Sequence, residues 1–413
     1  MSRKFPHHTP TGDTVTAASH EETLVESQQQ WRTVRGFLNQ HRYELAGIAG
    51  RLYYEHHRVG LLLTRPEWLP ATPVALDTIK LTWIAQAPEP AIDGTESESC
   101  LARPLRTPGQ CYACYADALG ALDRPRLFED RSSYRLLTVD WSDHDDGGGH
   151  LVFGRGSYFQ ILNICEAAAH ELAAVVLDLP QPEREKPQQL RGRLPFRSLI
   201  RDPFDLRVRP ILPAISTLTL RRDTAAGTTT WLAHWRDPAK VASGGGLYQV
   251  MPVGVFQPST NSAAAGANDF DLWRCMAREF NEELLGAPEP ASHNTTLLDY
   301  TNWPFFQALE QARDQGRLRV HCLGLGIDPL TLVTDILMVC VFDDEVFDAI
   351  FDGLVTTNAE GDIVGDDSGV PTVAGVPFTQ QAIERFSATK PMQPAGAALL
   401  QLAWQHRARL LSP

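Results

Sequence analysis

The sequence predicts an α/β protein of mixed (α+β) character. Apolar, strand-like runs surround one strongly acidic helix in the second half, and helical and strand-like stretches interleave in the first. The chain has 413 residues, 43% apolar and 21% charged, which is ordinary for a globular protein but too long for one typical core. Two or three domains are therefore expected.

Residues 1 to 28 mix His, Thr, Ser, Gly, Glu and Gln without apolar periodicity and read as a mobile tail. From Trp31 to Tyr54, apolar residues recur at helical spacing through Val34, Leu38, Leu45, Ile48 and Leu52, so one or two helices begin there. Arg and Lys do not gather on a second helix, which argues against a DNA-reading helix-turn-helix. Pro66 to Pro73 is proline-broken, and Ile79 to Ile84 then alternates as a short strand. Cys111 to Leu122 reads as a helix and Tyr134 to Trp141 as a strand. The strand ends at the turn Asp143 to Gly149, after which Leu151 to Phe153 pairs back. Leu162 to Leu177 is a helix carrying Glu166, His170 and Glu171, and Gln181 to Arg193 is a proline-rich connector. Together these make an N-terminal mixed α/β domain over 29–205.

In the second half, Ile215 to Leu220 and Thr228 to Trp235 are rich in strand-favouring residues, and Leu247 to Phe256 is a strand interrupted at Pro252. A helix over Leu272 to Leu285 follows. Strands over Arg319 to Gly324 and Asp335 to Phe342 lead to a helix over Val346 to Leu354, which closes a second domain at 206–356. Residues 357–413 add a Gly- and Asp-rich loop, Asn358 to Ser368, and closing helices over Thr379 to Phe386 and Ala395 to Leu411.

Thirty-seven basic against 50 acidic residues give a net charge of −13, which argues against a general nucleic-acid surface and against a polybasic membrane patch. Small molecules fit better. No stretch approaches the roughly 20 apolar residues of a membrane span. The N-terminus is polar from Ser2 to Glu26, so a cytoplasmic location is expected. Seven cysteines, an odd number, suit a reducing compartment, and Cys111 and Cys114 form the one local pair. A homo-oligomer is compatible with these features.

The stretch Arg278-Glu279-Phe280-Asn281-Glu282-Glu283-Leu284-Leu285-Gly286 concentrates the chemistry. At about 100° per residue, Glu279, Glu282 and Glu283 share one face of a helix. Like charges so close repel, and the usual relief is a hard divalent cation that takes carboxylate oxygens. Met276, Phe280 and Leu284 run alongside, which buries one flank and puts the acids at its rim.

This stretch resembles the second half of the Nudix box, Arg-Glu-x-x-Glu-Glu-x-Gly, with the closing glycine one residue late at Gly286. The family's early glutamate would fall on Phe270, between Asp269 and Asp271. The family-like opening is Met251-Pro252-Val253-Gly254, and Gln257 to Asp269 reads as an insertion. The resemblance implies a Nudix-like mixed-sheet α/β/α sandwich in the C-terminal half. It also implies a metal-dependent hydrolase of a nucleoside diphosphate linked to another moiety, a pyrophosphohydrolase. Glu282 and Glu283 would hold Mg²⁺ or Mn²⁺, Glu279 would ligate the metal or orient the attacking water, Arg278 would brace the acids, and Gly254 would bring backbone close to the ligand. The missing glutamate supports an alternative, a non-catalytic nucleotide-binding sensor. The arrangement also resembles bacterial Nudix-domain proteins of regulatory type. Diphosphate isomerisation or substitution on the same fold is a third option.

Other features carry weaker chemistry. His170-Glu171 has Ala174 where a metalloprotease helix needs its second histidine, so Glu166 and His170 read as a local i, i+4 pair facing a groove. Arg191, Arg193, Arg197 and Arg201 form a basic run, either a solvated surface or a phosphate grip. Trp231, Trp235 and Tyr248 could stack a base, with core or rim packing as the alternative. Ser243 to Gly246 is a hairpin turn or a phosphate cradle.

Overall fold

The computed structural model describes residues 13–125, 128–141, 148–184, 186–237, 245–288, 296–358, 361–364 and 375–412, with backbone alone at 13–22, 182 and 183. The chain opens on α1 (Asp13–Gln40) and α2 (Arg42–Leu52), which bury Trp31, Val34, Leu38, Leu45, Ile48 and Leu52. The tail expected to residue 28 is therefore helical from Asp13, while residues 1–12 lie outside the described residues. Extending a helix already nucleated adds one hydrogen bond per residue without an apolar stripe. Its inner end is fixed where Leu105 N donates to Ser27 Oγ and Gln28 Nε2 donates to Leu105 O.

Four short strands follow: β1 (His57–Val59), β2 (Leu62–Thr64), β3 (Val74–Ala75) and β4 (Ile79–Trp83). A small hairpin of β5 (Leu105–Thr107) and β6 (Gln110–Cys111) precedes α3 (Tyr115–Leu122), so Cys111 sits on a strand and not on the expected helix. β7 (Ser132–Asp140) and β8 (Gly149–Ser157) pair antiparallel, and β4 lies parallel to β8. One continuous helix then runs through α4 (Tyr158–Ile161), a π turn (Leu162–Glu166) and α5 (Ala167–Asp178). Tyr158–Asp178 is long and apolar enough to cross a membrane, but 78% of its apolar window is buried inside the protein. It is a core helix here. Short helices α6 (Gln181–Arg184), α7 (Pro187–Arg191) and α8 (Pro195–Ile200) complete the half.

The second half contributes β9 (Ala214–Asp223), β10 (Thr228–Trp231), β11 (Ala233–Arg236), β12 (Tyr248–Val250) and β13 (Val253–Val255). Next come α9 (Ala263–Asn268), α10 (Leu272–Leu285), α11 (Pro304–Asp314), β14 (Leu318–Ile327), β15 (Thr334–Asp343) and α12 (Asp344–Ile350). β16 (Gly361–Val364), β17 (Val376–Pro377), α13 (Gln380–Thr389), α14 (Pro394–Gln405) and α15 (Arg407–Leu410) end the chain.

The main sheet runs β1-β2-β14-β15-β9-β10-β17, with β13 on β9 and β3 on β14, and β15 lies parallel to β9. Period-two alternation makes it the middle of an α/β/α sandwich. Ile336, Met338, Cys340 and Phe342 face the core that holds Met276, Phe280 and Leu284 of α10, whereas Leu337, Val339 and Val341 face Phe386 of α13 and Leu399 of α14. β12, β11 and β16 form a separate small sheet.

The expected boundary near residue 205 does not fall at a break in this core. β1, β2 and β3 join the main sheet, and one apolar cluster continues from Trp31 to Ile363. Arg197, 6% exposed, donates to Pro329 O at 2.8 Å and to Leu330 O on the β14–β15 turn, and to Tyr53 Oη at 3.1 Å. A guanidinium presents several donors in one plane, so a single side chain joins the two halves here.

Candidate functional site at the α10 and β13 seam

α10 spans the stretch the sequence marks. Asp271 caps its start by accepting from Arg274 N at 3.0 Å, and Gly286 ends it in the left-handed conformation at φ 68°. Beneath it the chain changes sheets. β12 belongs to the small sheet, and beyond Pro252 β13 pairs with β9, Val253 opposite Ser216 and Gly254 opposite Ile215.

Three α10 side chains spaced four residues apart meet three successive β13 residues. Cys275 Sγ donates to Val255 O at 3.6 Å. The Glu279 carboxylate lies on Gly254 so closely that a Cβ at 254 would come within 3.0 Å of it. Glu283 Oε1 accepts from Val253 N at 2.9 Å. Glu283 is 4% exposed, whereas Glu279 and Glu282 are half-buried at the rim. Burial pushes the Cys275 thiol up to about 12 against the pull of Arg278, and the charges of Glu279 and Glu282 add to the rise.

Sequence reading missed two residues of this site. His234, 1% exposed on β11, lies with Nδ1 at 3.8 Å from Glu283 Oε2 and Nε2 at 3.2 Å from Asn358 Oδ1. Asn358 Nδ2 donates to Glu283 O at 3.0 Å. No local signal marks either residue, because they are 124 positions apart and each sits in an unremarkable stretch.

Arg278 does not take the bracing role expected of it. It is 6% exposed and donates to Tyr300 Oη and to Gln257 O, each at 2.6 Å, with Asp269 Oδ1 at 3.8 Å. Burial alone disfavours its charge, but Cys275, Tyr300 and Asp269 outweigh that effect and hold its pKa above the ordinary arginine value. Asp269 is fully buried and accepts from Ser259 N, Ser259 Oγ and Tyr300 Oη at 2.7, 2.6 and 2.9 Å. Arg278 and Asp269 therefore lock the inserted loop to α10. Asp271 is the helix cap. Asp269, fully buried, has no exposed oxygen to offer in place of the absent glutamate.

The other candidates disperse. Glu166 is not paired with His170: it accepts from Arg35 Nη1 at 2.6 Å and from Arg42 Nη2 at 2.8 Å, deep in the core. His170 stacks on Trp31 with ring centres 5.2 Å apart, and burial lowers its pKa to about 3. Glu171 accepts from Phe196 N and Arg197 N at the start of α8. Of the arginine run, Arg197 is the buried clasp described above and Arg191 donates to Leu52 O, so the four do not form a common phosphate grip. Trp231 is fully buried against Phe386 and cannot stack a base, while Trp235 and Tyr248 are half-buried on the small sheet. Cys100 and Cys111 are exposed free thiols. The Gly-rich turn lies outside the described residues at Ser243 and Gly244, and so does most of the loop after Asn358.

A cleft of about 450 Å³ opens at the other end of α10, between Ile79 and Leu81 on one wall and Phe270, Trp273 and Phe306 on the other. It includes neither Gly254 nor the acids. Trp273 Nε1 donates to Glu310, and Arg313 lies over the Trp273 ring between Glu310 and Asp77.

Among the described residues, no three His, Cys, Asp or Glu side chains converge as a ready-made cation cage. The seam instead offers two half-buried carboxylates, Glu279 and Glu282, above the buried Glu283. Mg²⁺ is commonly held by one or two carboxylates, with waters and substrate phosphates completing the shell, so this donor set fits such an ion. No protein-family model matches the chain, and no curated protein matches it.

Proposed function

We propose that the α10 and β13 seam binds a divalent cation, Mg²⁺ or Mn²⁺, together with the diphosphate of a nucleoside diphosphate derivative, and that the chain hydrolyses that diphosphate as a Nudix-like enzyme. The observation that carries the reading is the packing of the Glu279 carboxylate on Gly254, one turn from a Glu283 bonded to Val253 N. Glu279 and Glu282 would hold the cation. When bound, such an ion neutralises phosphate charge and lowers the pKa of its water. Glu279, half-buried beside a strand without a side chain at 254, would orient an attacking water. Glu283 adds negative charge from beneath and fixes the helix to the strand. The cytoplasm and a small-molecule partner belong to the same proposal.

A second reading has its own support. Arg278 and Asp269 are committed to holding the loop, and Glu283 is buried, so the seam could bind a nucleotide without turning it over. The protein incubated with a panel of nucleoside diphosphate derivatives and Mg²⁺ or Mn²⁺, read by phosphate release and mass, separates the two. Product formation abolished by Glu279→Gln supports the hydrolase. Thermal stabilisation by a nucleotide, unaffected by chelator and without product, supports the sensor.

A further inference from the structure

We infer that Arg209 and Arg197, with the Tyr53 hydroxyl, bind a small inorganic oxyanion of phosphate type in the core where the two halves of the chain meet. The inference is independent of the cation reading of the α10 seam.

Arg209 is 1% exposed, and its one hydrogen bond among the described residues runs from Nη2 to a neutral acceptor, Pro203 O, at 3.4 Å. Its buried Nε has no partner. Arg42 and Arg222 also have a buried, unpartnered Nε, but each pairs with a carboxylate, Glu166 and Asp343. Arg209 has no such anion. The acids of its own loop are committed elsewhere, since Asp202 accepts from Phe204 N and Asp205 holds the exposed Arg207. Glu171 accepts from Phe196 N and Arg197 N, and Asp328 accepts from Leu330 N and Thr331 N. The groups whose charge acts on Arg209 are Cys165, Tyr53 and Arg197, with no carboxylate among them. Burial pushes the Cys165 thiol up to about 12 despite the pull of Arg209, so it stays neutral and supplies no counter-charge. Arg197 is a second buried cation, whose hydrogen bonds end on Tyr53 Oη and three carbonyls and whose Nε is likewise unpartnered.

A guanidinium does not shed its proton inside a protein, so burial cannot neutralise Arg209 as it neutralises a thiol. An uncompensated charge in the core is strongly unfavourable, and a bound ion is one of the few ways to satisfy it. Guanidinium groups grip oxyanions through paired N–H donors. Tyr53, having accepted from Arg197, keeps its own O–H to donate. A small oxyanion has acceptors for both arginines and the hydroxyl. Because Arg197 also holds the β14–β15 turn, the anion stabilises the contact between the halves.

The test uses the full chain, desalted into a phosphate-free chloride buffer with chelator, so that no divalent cation draws phosphate to α10. Thermal melts are recorded over a phosphate series at constant ionic strength, and ion chromatography after acid precipitation reads any phosphate carried through purification. The expected result for the wild type is a melting temperature that rises by about 1–2 °C for each tenfold increase in phosphate beyond half-saturation, or one equivalent of phosphate released by acid. Arg209→Met, which replaces an unbalanced charge by an apolar chain, should fold, carry no phosphate and keep only the smaller rise that phosphate gives any protein through exclusion from its surface. Equal phosphate responses in the wild type and a folded Arg209→Met overturn the inference. So does a wild type with neither released phosphate nor a rise. If Arg209→Met does not fold, Tyr53→Phe decides: loss of its hydroxyl donor should shift the response to about 10-fold higher phosphate, and an unshifted response overturns the inference.

Discussion

Replacing Gly254 with alanine separates site from scaffold. The backbone at 254 is an ordinary strand pairing with Ile215 and needs no positive φ, so alanine is conformationally acceptable. Only space is missing, because the new methyl would stand within 3.0 Å of the Glu279 carboxylate. What it displaces is the flexible end of a half-buried side chain, which can swing away at little cost to the core. The lost freedom of the unfolded chain would itself favour the folded state by about 0.4–1 kcal/mol. Stability should therefore change by less than about 1 kcal/mol in either direction. A carboxylate moved off a cation is another matter. We expect Mn²⁺ affinity to fall about 10-fold or more, or about 1.4 kcal/mol of binding energy. Calorimetric titration beside a denaturant melt measures both quantities on one preparation. A folded Gly254→Ala protein with wild-type Mn²⁺ affinity would refute the placement of the site at this seam.

Three further outcomes test the scaffold. Arg278→Met removes the cation beside the fully buried Asp269 and should cost about 3 kcal/mol or more in a denaturant melt. Arg207→Met, at a pair whose arginine is 89% exposed, should leave the melt close to wild type; equal costs would show that Arg278 is not a buried tie. Glu166→Gln leaves Arg35 and Arg42, each 3% exposed, without their shared anion, and should lower stability by about 3–5 kcal/mol; a change below about 1 kcal/mol would contradict the buried-ion account. Burial raises the Asp335 carboxyl to about 7 despite a hydrogen bond from Ser216. The folded state then binds more protons than the unfolded chain above pH 4, so this contribution is present at low pH and lost as pH rises toward 7. Asp335→Asn should accordingly gain on wild type by roughly 2–4 kcal/mol between pH 4 and 8, and a flat difference would refute it.

α10 was legible in the sequence because several signals agreed: the Met276, Phe280, Leu284 stripe, the acid spacing and Gly286 as terminator all describe one helix. The break at Pro252 was legible for a similar reason, although its consequence, a change of sheet between β12 and β13, depends on pairing with β9 that no local pattern states. Long-range partners account for the remainder. Asp269 and Asp271 flank the slot at Phe270 alike in sequence, whereas Arg278 and Ser259 claim Asp269 in three dimensions. Glu166 and His170 looked like neighbours on a helix, yet a π turn and two arginines from α1 and α2 fix where they go. α9 occupies the stretch read as an insertion and α11 one to which the sequence pattern assigned no element; each is a short helix that gains its order from packing. His234 and Asn358 carried no signal at all.

The most direct measurement is a Mn²⁺ titration of the wild-type chain against the Glu279→Gln, Glu282→Gln double variant. A cation that binds the wild type and is lost from a variant of unchanged melting behaviour is the predicted result. Equal affinity in both proteins, or none in the wild type, would contradict a cation site on α10.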